Sequence, residues 1–378
     1  MIGTRLGNYE IVEEIGRGGM ATVYRAYDPK LDRFVAVKVI HQNISAESSS
    51  LERFNREARL VARLEHPHLI PVYDYDGRHD PPFIVMRFME SGTLKDVLDK
   101  GGALPLNDAA FMLRQIASAL DHAHRKGVIH RDIKPSNIMV DQDGNAFLTD
   151  FGIARMQEKG DGPQKGGLTQ TGFAVGTPGY MSPEQCLGKS DIDGRTDIYA
   201  MGAMLYQMLT GQMPFTADTP MQVIMKHIQE AVPSARAINP DLPEDIDAII
   251  AKAMAKDPNQ RYASAGDFAH DLVDVVGTIT VGRAPTWLRA AAIEVYNQKQ
   301  KEREARQPEI DQTLQTFAGT RVDPDAQQNT VTDAVAPMPD GPTQTTPSDQ
   351  RIAAAPVSAS VPQPSASQQV AQPPAAQA

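Results

Sequence analysis

The sequence predicts an α+β protein with two lobes, a small β-rich N-terminal lobe that contains one helix and a larger α-helical C-terminal lobe. The first 90 residues contain short runs of β-branched and aromatic residues separated by glycines or by Asp28-Pro29, as expected for antiparallel strands. From residue 107 onward, apolar residues recur at helical spacing. After about residue 307, small and polar residues dominate, and this composition predicts a disordered tail over 308–378.

Five strands and one helix are expected in the N-terminal lobe. The strands are predicted at Tyr9–Gly16, Ala21–Tyr27, Arg33–His41, Pro71–Asp76 and Phe83–Phe88. The helix is predicted at Leu51–Leu64, where Leu60, Val61 and Leu64 form one apolar stripe.

The C-terminal lobe is expected to be built from helices. Asn107 is a candidate N-cap for a helix that runs from Asp108 to Lys126, and Gly127 suits the C′ position that follows it. Further helices are predicted at Thr196–Thr210, closed by Gly211, and at Pro220–Glu230, Glu244–Lys256 and Ser264–Val276. A charged helical extension is expected over 276–307. Its helix, Pro285–Arg306, either packs back on the domain or leads into the tail.

Composition and charge exclude several classes of protein. Lysine and arginine number 37 against 47 acidic residues, so the net charge is −10, which disfavours broad nucleic-acid binding. The single cysteine, Cys186, excludes an internal disulfide and a Cys-rich zinc site. The sequence contains no run of about 18 apolar residues, so no membrane span is expected. Met1–Asn8 lacks the apolar core of a signal peptide. A cytoplasmic location is therefore expected.

A glycine-rich segment and a lysine mark the first candidate site. Gly16, Gly18 and Gly19 lie between two predicted strands, where glycines let backbone N–H groups approach phosphates; a plain hairpin turn is the alternative. Lys38 ends the apolar run Val35-Ala36-Val37, and a buried ammonium is costly unless it is paired. Glu57, on the apolar face of the predicted helix, is its candidate partner, and Glu52 and Glu65, nearer the helix ends, are alternatives. If Lys38 is instead a surface lysine, it needs no partner.

A dense polar cluster, His130 to Asn137, is bracketed by apolar segments. Within it, Asp132 can accept a proton, Lys134 can neutralise phosphate, and Asn137 offers an oxygen to a hard cation. Shortly after it, Asp150 ends another apolar run and precedes Phe151-Gly152, which suits Mg²⁺ binding beside a phosphate chain.

Taken in order, these motifs resemble the signature set of protein kinases. The set comprises Gly16-x-Gly18 with Val23, Val35-Ala36-Val37-Lys38, Glu57, His130-Arg131-Asp132-x-Lys134-x-x-Asn137, Asp150-Phe151-Gly152 and Ser182-Pro183-Glu184. The sequence resembles a eukaryotic-like bacterial Ser/Thr protein kinase, which implies the two-lobed protein kinase fold over 9–275, with an N-lobe at 9–88, a hinge at 87–90 and a C-lobe at 91–275. Ala21 replaces the third glycine of the loop, and Ser182 replaces the alanine of the Ala-Pro-Glu motif.

The resemblance also implies roles for individual residues. ATP would be bound by Ile15, Gly16, Gly18, Gly19, Val23, Ala36, Lys38, Met86 and Met89, with Met86 as the gatekeeper. Lys38 would hold phosphates and pair with Glu57, Asp132 would orient the substrate hydroxyl, and Lys134 would face the γ-phosphate. Mg²⁺, or Mn²⁺ as an alternative, would be held by Asn137 and Asp150. Structural roles are implied for Arg131, Thr177, Asp197 and a salt bridge between Glu184 and Arg261.

Regulation and partners are implied as well. Thr169 and Thr171 are candidate activation-loop phosphosites, with Arg131 as the receiver of the phosphate; ordinary loop threonines are the alternative. Thr320, three residues before Asp323, is a candidate tail phosphosite for a forkhead-associated domain, although such spacings also arise by chance. Protein substrates and a transient kinase dimer are the other expected partners.

Two other functions stay open at this level. The first is a pseudokinase scaffold that has the fold without turnover. The second is a small-molecule phosphotransferase of the aminoglycoside or choline kinase type, which would lack the activation segment that runs here from Ile153 to Glu184.

Overall fold

The computed structural model describes residues 1–19, 21–41, 56, 58–151, 178–277 and 284–319. The candidate site residues that lie outside these ranges are Glu57, Gly152, Thr169, Thr171, Thr177 and Thr320, and Leu51, Ile153 and Asp323 lie outside them too. The predictions made for them therefore stay predictions.

The N-terminal lobe is a six-stranded antiparallel sheet with the strand order β1-β2-β3-β4-β6-β5. Its strands are β1 Arg5–Leu6, β2 Tyr9–Arg17, β3 Ala21–Asp28, β4 Arg33–Ile40, β5 Val72–Asp76 and β6 Phe83–Arg87. The five predicted strands are confirmed to within about one residue, and β1 was not predicted. Residues 58–62 are helical, but Leu60 is 36% exposed, so the predicted apolar stripe is wrong at that position.

The larger lobe combines a small sheet with a set of helices. The sheet has the order β7-β8-β9, formed by Gly92–Thr93, Ile138–Val140 and Ala146–Leu148. The helices are α1 Leu94–Gly101, α2 Leu106–Arg125, α3 Pro183–Cys186, α4 Arg195–Thr210, α5 Pro220–Gln229, α6 Asp245–Ala253 and α7 Ala265–Val276. The core lies around α2 and α4, most of whose apolar side chains are fully buried.

The ends of two helices test the capping predictions. Gly211 ends α4 with φ of 71°, a left-handed conformation that glycine adopts without steric cost, as predicted. The predicted N-cap Asn107 is wrong, because α2 already begins at Leu106 and Pro105 occupies the cap without a side-chain hydrogen bond. Asp108, in the first turn, bonds instead to the backbone N–H of Leu288.

The C-terminal helix, α8, runs from Thr286 to Gly319. The predicted boundary at 307/308 is wrong, because the helix continues through Pro308 and buries Ile310 and Phe317. Pro308 removes one backbone donor, and these apolar anchors offset that loss. The extension packs back on the domain, which was one of the two expected alternatives. No helix within the described ranges has the length and apolar character that a membrane crossing requires.

Candidate active site

The glycine-rich segment forms the turn between β2 and β3. Gly16 pairs with Val23 across the hairpin, and the N–H of Gly18 donates to the carbonyl of Ala21 at 2.8 Å. The His41 ring, at the end of β4, fixes the turn from the side. Its Nδ1–H donates to the carbonyl of Gly19 at 3.1 Å, and its Nε2 lies 2.9 Å from the Thr22 hydroxyl.

Two of the residues assigned to nucleotide binding, Lys38 and Met86, line a cavity between the lobes. Ala36 on β4 lies opposite Met86 on β6, and both are buried. The Thr149 hydroxyl contacts the Met86 sulfur at 3.9 Å, so the predicted gatekeeper touches the larger lobe. Ile15, on β2 of the smaller lobe, is 41% exposed, and Met89 is half-buried. A cavity of the cleft is lined from both lobes by Lys38, Ile40, Val61, Ile70, Val72, Ile84, Met86, Thr149, Asp150 and Phe151.

The lysine of β4 bonds to a carboxylate of the opposite lobe. Lys38 Nζ lies 2.8 Å from Asp150 Oδ1, and both side chains keep partial solvent contact. Burial favours the neutral form of Asp150, but the Lys38 ammonium outweighs burial and holds the pKa of this carboxyl below its usual range. The carboxylate is therefore ionised at neutral pH, as a ligand of a cation must be.

Asp132, Lys134 and Asn137 form one hydrogen-bonded unit. Lys134 Nζ lies 2.9 Å from Asp132 Oδ2, and the Asn137 amide donates to the same oxygen at 3.1 Å. A second bond, from the Asn137 amide to the Asp132 backbone carbonyl at 2.8 Å, fixes the turn. The sequence predicted that these residues act together, and the fold brings them together through the short 3₁₀ turn Pro135–Asn137.

The support for this unit comes from a buried histidine and a buried aspartate. His130 is fully buried; its Nε2–H donates to the Thr149 carbonyl at 2.8 Å, and its Nδ1 accepts from the Asp132 N–H at 3.3 Å. Burial lowers the pKa of His130, in agreement with a neutral ring. Asp197, in the first turn of α4, accepts from the backbone N–H groups of His130 and Arg131 at 2.8 and 2.7 Å.

Two residues of the site have left-handed backbone conformations. Arg131 has φ of 64° and Asp150 has φ of 62°. Such values are uncommon for residues with a Cβ, and they persist where the surroundings enforce them. Asp197 accepts from the Arg131 N–H, and the Gln185 amide donates to the Arg131 carbonyl at 2.9 Å. The backbone of Arg131 is therefore held on both sides.

The donor set fits a magnesium ion that is shared with a phosphate chain. Asn137 uses its amide nitrogen on Asp132, which leaves the carbonyl oxygen as the atom that can coordinate a cation. Asp150 supplies an ionised carboxylate. Mg²⁺ binds through one or two protein oxygens together with substrate phosphates and waters, and these two side chains meet that requirement.

The predicted salt bridge between Glu184 and Arg261 is present and buried. Arg261 Nη1 and Nη2 lie 2.7 and 2.8 Å from the two Glu184 oxygens, and neither side chain is more than 5% exposed. The Thr196 hydroxyl donates to Glu184 at 2.6 Å. Burial raises the pKa of Glu184, but its bonds with Arg261 and Thr196 outweigh burial and lower it. The pair ties the end of the activation segment to the larger lobe.

Sequence reasoning missed three supporting residues. His41 holds the glycine-rich turn, Thr149 accepts from His130, and His124 donates to Asp197 at 2.8 Å. The one signal available was Asp197 itself, a charge in the first turn of an otherwise apolar helix, because a buried carboxylate requires donors. The groups that donate to Asp197 lie 66 to 73 residues away in the sequence, so no local pattern predicts them.

Comparison with known proteins identifies the family of this chain. The family model of the protein kinase domain matches residues 9–273. Serine/threonine-protein kinase PrkC of Bacillus subtilis is 40% identical over 273 residues, which are 72% of this chain and 41% of PrkC. Serine/threonine-protein kinase PknH of Mycobacterium tuberculosis is 42% identical over 270 residues, which are 71% of this chain and 42% of PknH. The chain thus spans about two fifths of the length of these relatives.

Solved structures give the same result for the fold. The kinase domain of Mycobacterium tuberculosis PknI matches with a TM-score of 0.58 and 27% sequence identity, over 74% of this chain and 99% of that domain. Rad53 in complex with AMP-PNP matches with a TM-score of 0.58 and 25% identity, over 70% of this chain and 65% of that chain. The curated relatives are bacterial serine/threonine-protein kinases, and the chain belongs to the protein kinase domain family.

Proposed function

We propose that this chain transfers the γ-phosphoryl group of ATP to serine or threonine hydroxyls of proteins. The observation that carries the proposal is the hydrogen-bonded unit of Asp132, Lys134 and Asn137, together with the Lys38–Asp150 pair of the same cleft. Phosphoryl transfer depends on positioning and charge neutralisation, and this arrangement supplies both.

Each residue of the unit has a distinct task in this proposal. Asp132 accepts or orients the proton of the attacking hydroxyl, and Lys134, 2.9 Å from it, neutralises charge on the phosphate that is transferred. Lys38 holds the α- and β-phosphates and exchanges part of its contact with Asp150 for them. Asn137 and Asp150 hold Mg²⁺, which neutralises the phosphate chain when it is bound.

The test is a phosphotransfer assay on the purified full chain with Mg-ATP and a generic protein substrate. Phosphoserine or phosphothreonine should form in the wild type and should be absent in Asp132→Asn. ATP binding without any transfer would instead identify a pseudokinase scaffold. Transfer to a free aminoglycoside or choline, with none to protein, would identify a small-molecule phosphotransferase.

We further propose that phosphorylation of Thr169 or Thr171 switches the kinase on. Both lie in the segment that precedes Thr177, and a phosphate adds about −1.5 to −2 charge, which an arginine must neutralise. Arg131, adjacent to Asp132, is the proposed receiver. Mass spectrometry of active enzyme should find phosphate in this segment. Full activity of the Thr169→Ala/Thr171→Ala variant, without phosphate there, would refute the switch.

A phosphorylated tail is the proposed docking site for a forkhead-associated domain. Thr320 follows directly on α8, whose last turns bury Phe317 beneath the Arg5 guanidinium at 5.6 Å, so the tail starts at an anchored end. Tethering gives the tail a high effective concentration at its own kinase. A forkhead-associated domain should bind a phospho-Thr320 peptide and lose affinity with Asp323→Ala. Absence of phosphate on every tail threonine after exhaustive autophosphorylation would exclude this role.

A further inference from the structure

We propose that helix α8 is an interlobe brace that positions the hinge and the N-terminal lobe for nucleotide binding, with Arg303 and Arg306 as its positioning residues. The proposal rests on the proposed function, because the nucleotide is taken to bind in the cleft. It is carried by contacts that this one helix makes with the larger lobe, with the hinge and with the smaller lobe.

The first part of the helix is anchored on the larger lobe. Leu288, Ala292 and Val295 are buried, and the Leu288 N–H donates to Asp108 at 2.8 Å. A Cβ at Gly92 would lie 2.1 Å from Val295 and could not be accommodated without movement. Comparable close approaches occur at Gly101, 2.9 Å from Trp287, and at Gly144, 2.7 Å from Ala284. The larger lobe therefore has glycines where the helix and its entry segment approach most closely.

The middle of the helix bonds to the hinge. Arg303 Nη1 donates to the backbone carbonyl of Glu90 at 3.0 Å, and its guanidinium lies 5.2 Å from the centre of the Phe88 ring. Gln300, one turn earlier, donates to the Glu90 carboxylate at 3.0 Å. Met89, which the resemblance assigns to ATP binding, lies immediately before Glu90, so the helix fixes the hinge backbone next to the proposed nucleotide site.

The last part of the helix bonds to the N-terminal lobe. Arg306 Nη1 donates to Glu13 Oε1 at 2.9 Å, and Glu13 is only 8% exposed. The other Glu13 oxygen lies 3.7 Å from buried Arg25, beyond hydrogen-bond distance. Without Arg306, the Glu13 carboxylate would stay buried with this long contact as its charge partner, which is a costly arrangement. Ile310 and Phe317 add buried apolar surface to this part of the helix.

A rigid helix held by both lobes restricts rotation about the hinge. With the helix docked, the cleft is closed far enough for Lys38 of one lobe to reach Asp150 of the other at 2.8 Å. The brace therefore favours the lobe orientation in which the phosphate-binding lysine and the metal-binding carboxylate meet. Because a nucleotide needs both groups at once, releasing the brace should weaken nucleotide binding.

The test measures the Kd of the full-length chain for Mg·AMP-PNP by calorimetry. Arg306→Gln and Arg303→Gln should each raise the Kd roughly fivefold, about the net contribution of one hydrogen bond. Arg306→Lys should restore most of the affinity. Lys301→Gln is the matched control, because it removes the same charge from a side chain of the same helix that makes no hydrogen bond or ion pair with any described residue, and it should leave the Kd unchanged.

A double-mutant cycle separates positioning from a general loss of structure. Glu13→Gln should raise the Kd like Arg306→Gln, and the double variant should be no worse than either single variant. A Kd that is unchanged in all of these variants, or equally raised in Lys301→Gln, would overturn the brace. Nucleotide binding by a wild type that transfers no phosphate would refute the proposed function and leave the brace testable. Absence of any nucleotide binding would overturn both.

Discussion

The cleft and the interior of the larger lobe contain the same kind of ion pair in two different environments. In the cleft, Lys38–Asp150 and Lys134–Asp132 lie at 2.8 and 2.9 Å, and their side chains are 19–29% exposed. In the interior, Arg261 forms two bonds of similar length to Glu184, and the two side chains are 0% and 5% exposed. Distance alone does not distinguish the two sets, whereas exposure does.

This difference separates exchangeable pairs from permanent ones. A partly exposed pair costs little to open, because water, phosphate or a cation can replace either partner. A fully buried pair has no such substitute, so losing one partner leaves a charge without solvation. We therefore expect substitutions in the cleft to change catalysis with little change in stability, and substitutions in the interior to do the reverse.

The largest effect should come from Asp132→Asn. It preserves shape but removes the group that orients the hydroxyl in the transition state, so kcat should fall by about three orders of magnitude or more. The Tm should stay within about 2 °C of wild type, because the side chain is partly exposed. Steady-state kinetics and a thermal melt test both expectations; near-full activity would refute the assigned role.

Arg261→Met should have the largest effect on stability. It leaves the buried Glu184 carboxylate without its charge partner, which should lower the free energy of unfolding by about 3–5 kcal/mol and the Tm by roughly 10 °C. Arg195→Met is the control, since its pair with Asp193 is partly exposed, at 31% and 54%, and should contribute under about 1 kcal/mol. Equal losses in the two variants, measured by urea unfolding, would contradict the contrast between buried and exposed pairs.

A buried histidine of the same interior should make stability depend on pH. His227 is fully buried and bonds the Tyr199 hydroxyl at 2.9 Å; burial, aided by the Lys256 ammonium, lowers its pKa to about 4. The unfolded chain gains a proton near pH 6.5 and the folded chain only near 4, so stability falls as the pH drops through this window, by roughly 3 kcal/mol.

The comparison with His227→Gln isolates this contribution from other groups. Urea unfolding of both proteins at intervals from pH 7 to pH 4.5 should give a steeper decline for the wild type. Parallel declines would show that His227 does not bind a proton differently in the two states.

The smallest effect should come from substitutions of His41, the ring beside the glycine-rich turn. His41→Leu removes both bonds to the glycine-rich turn and should raise the KM for ATP about threefold, with kcat nearly unchanged. Thr22→Val, which removes only the hydroxyl, should give part of this change, and His41→Gln should restore part of the affinity. An unchanged KM in His41→Leu would show that this ring has no role in nucleotide binding.

The elements predicted best were those whose signals are local. The strands around Lys38 and the end of α4 at Gly211 were correct, because side-chain alternation and a left-handed C′ residue are properties of a few neighbouring residues. The start of α2 was wrong at Asn107, although the sequence there is that of a good cap. The helix begins earlier because the Pro105 carbonyl accepts from the backbone N–H groups of Asp108 and Ala109. The Asp108 side chain bonds the Leu288 N–H, 180 residues away, and this partner could not be read from the local sequence.

The sequence by itself determined the family of this protein and the chemistry proposed for it. The order and spacing of Lys38, Asp132, Lys134, Asn137 and Asp150 identified the family and the groups proposed to bind phosphate and metal. These features are fixed by residue type, and the short turn that joins Asp132 to Asn137 is fixed by five residues of chain.

Only the tertiary structure decided which groups support that chemistry. Asp197 meets His130 across 67 residues, Arg261 meets Glu184 across 77, and Arg306 meets Glu13 across 293. Each contact requires two elements to approach within hydrogen-bond distance, and that approach depends on how the whole core packs. From the sequence, the charged helix could either pack back on the domain or lead into the tail, and only the fold shows that α8 bonds to both lobes and to the hinge.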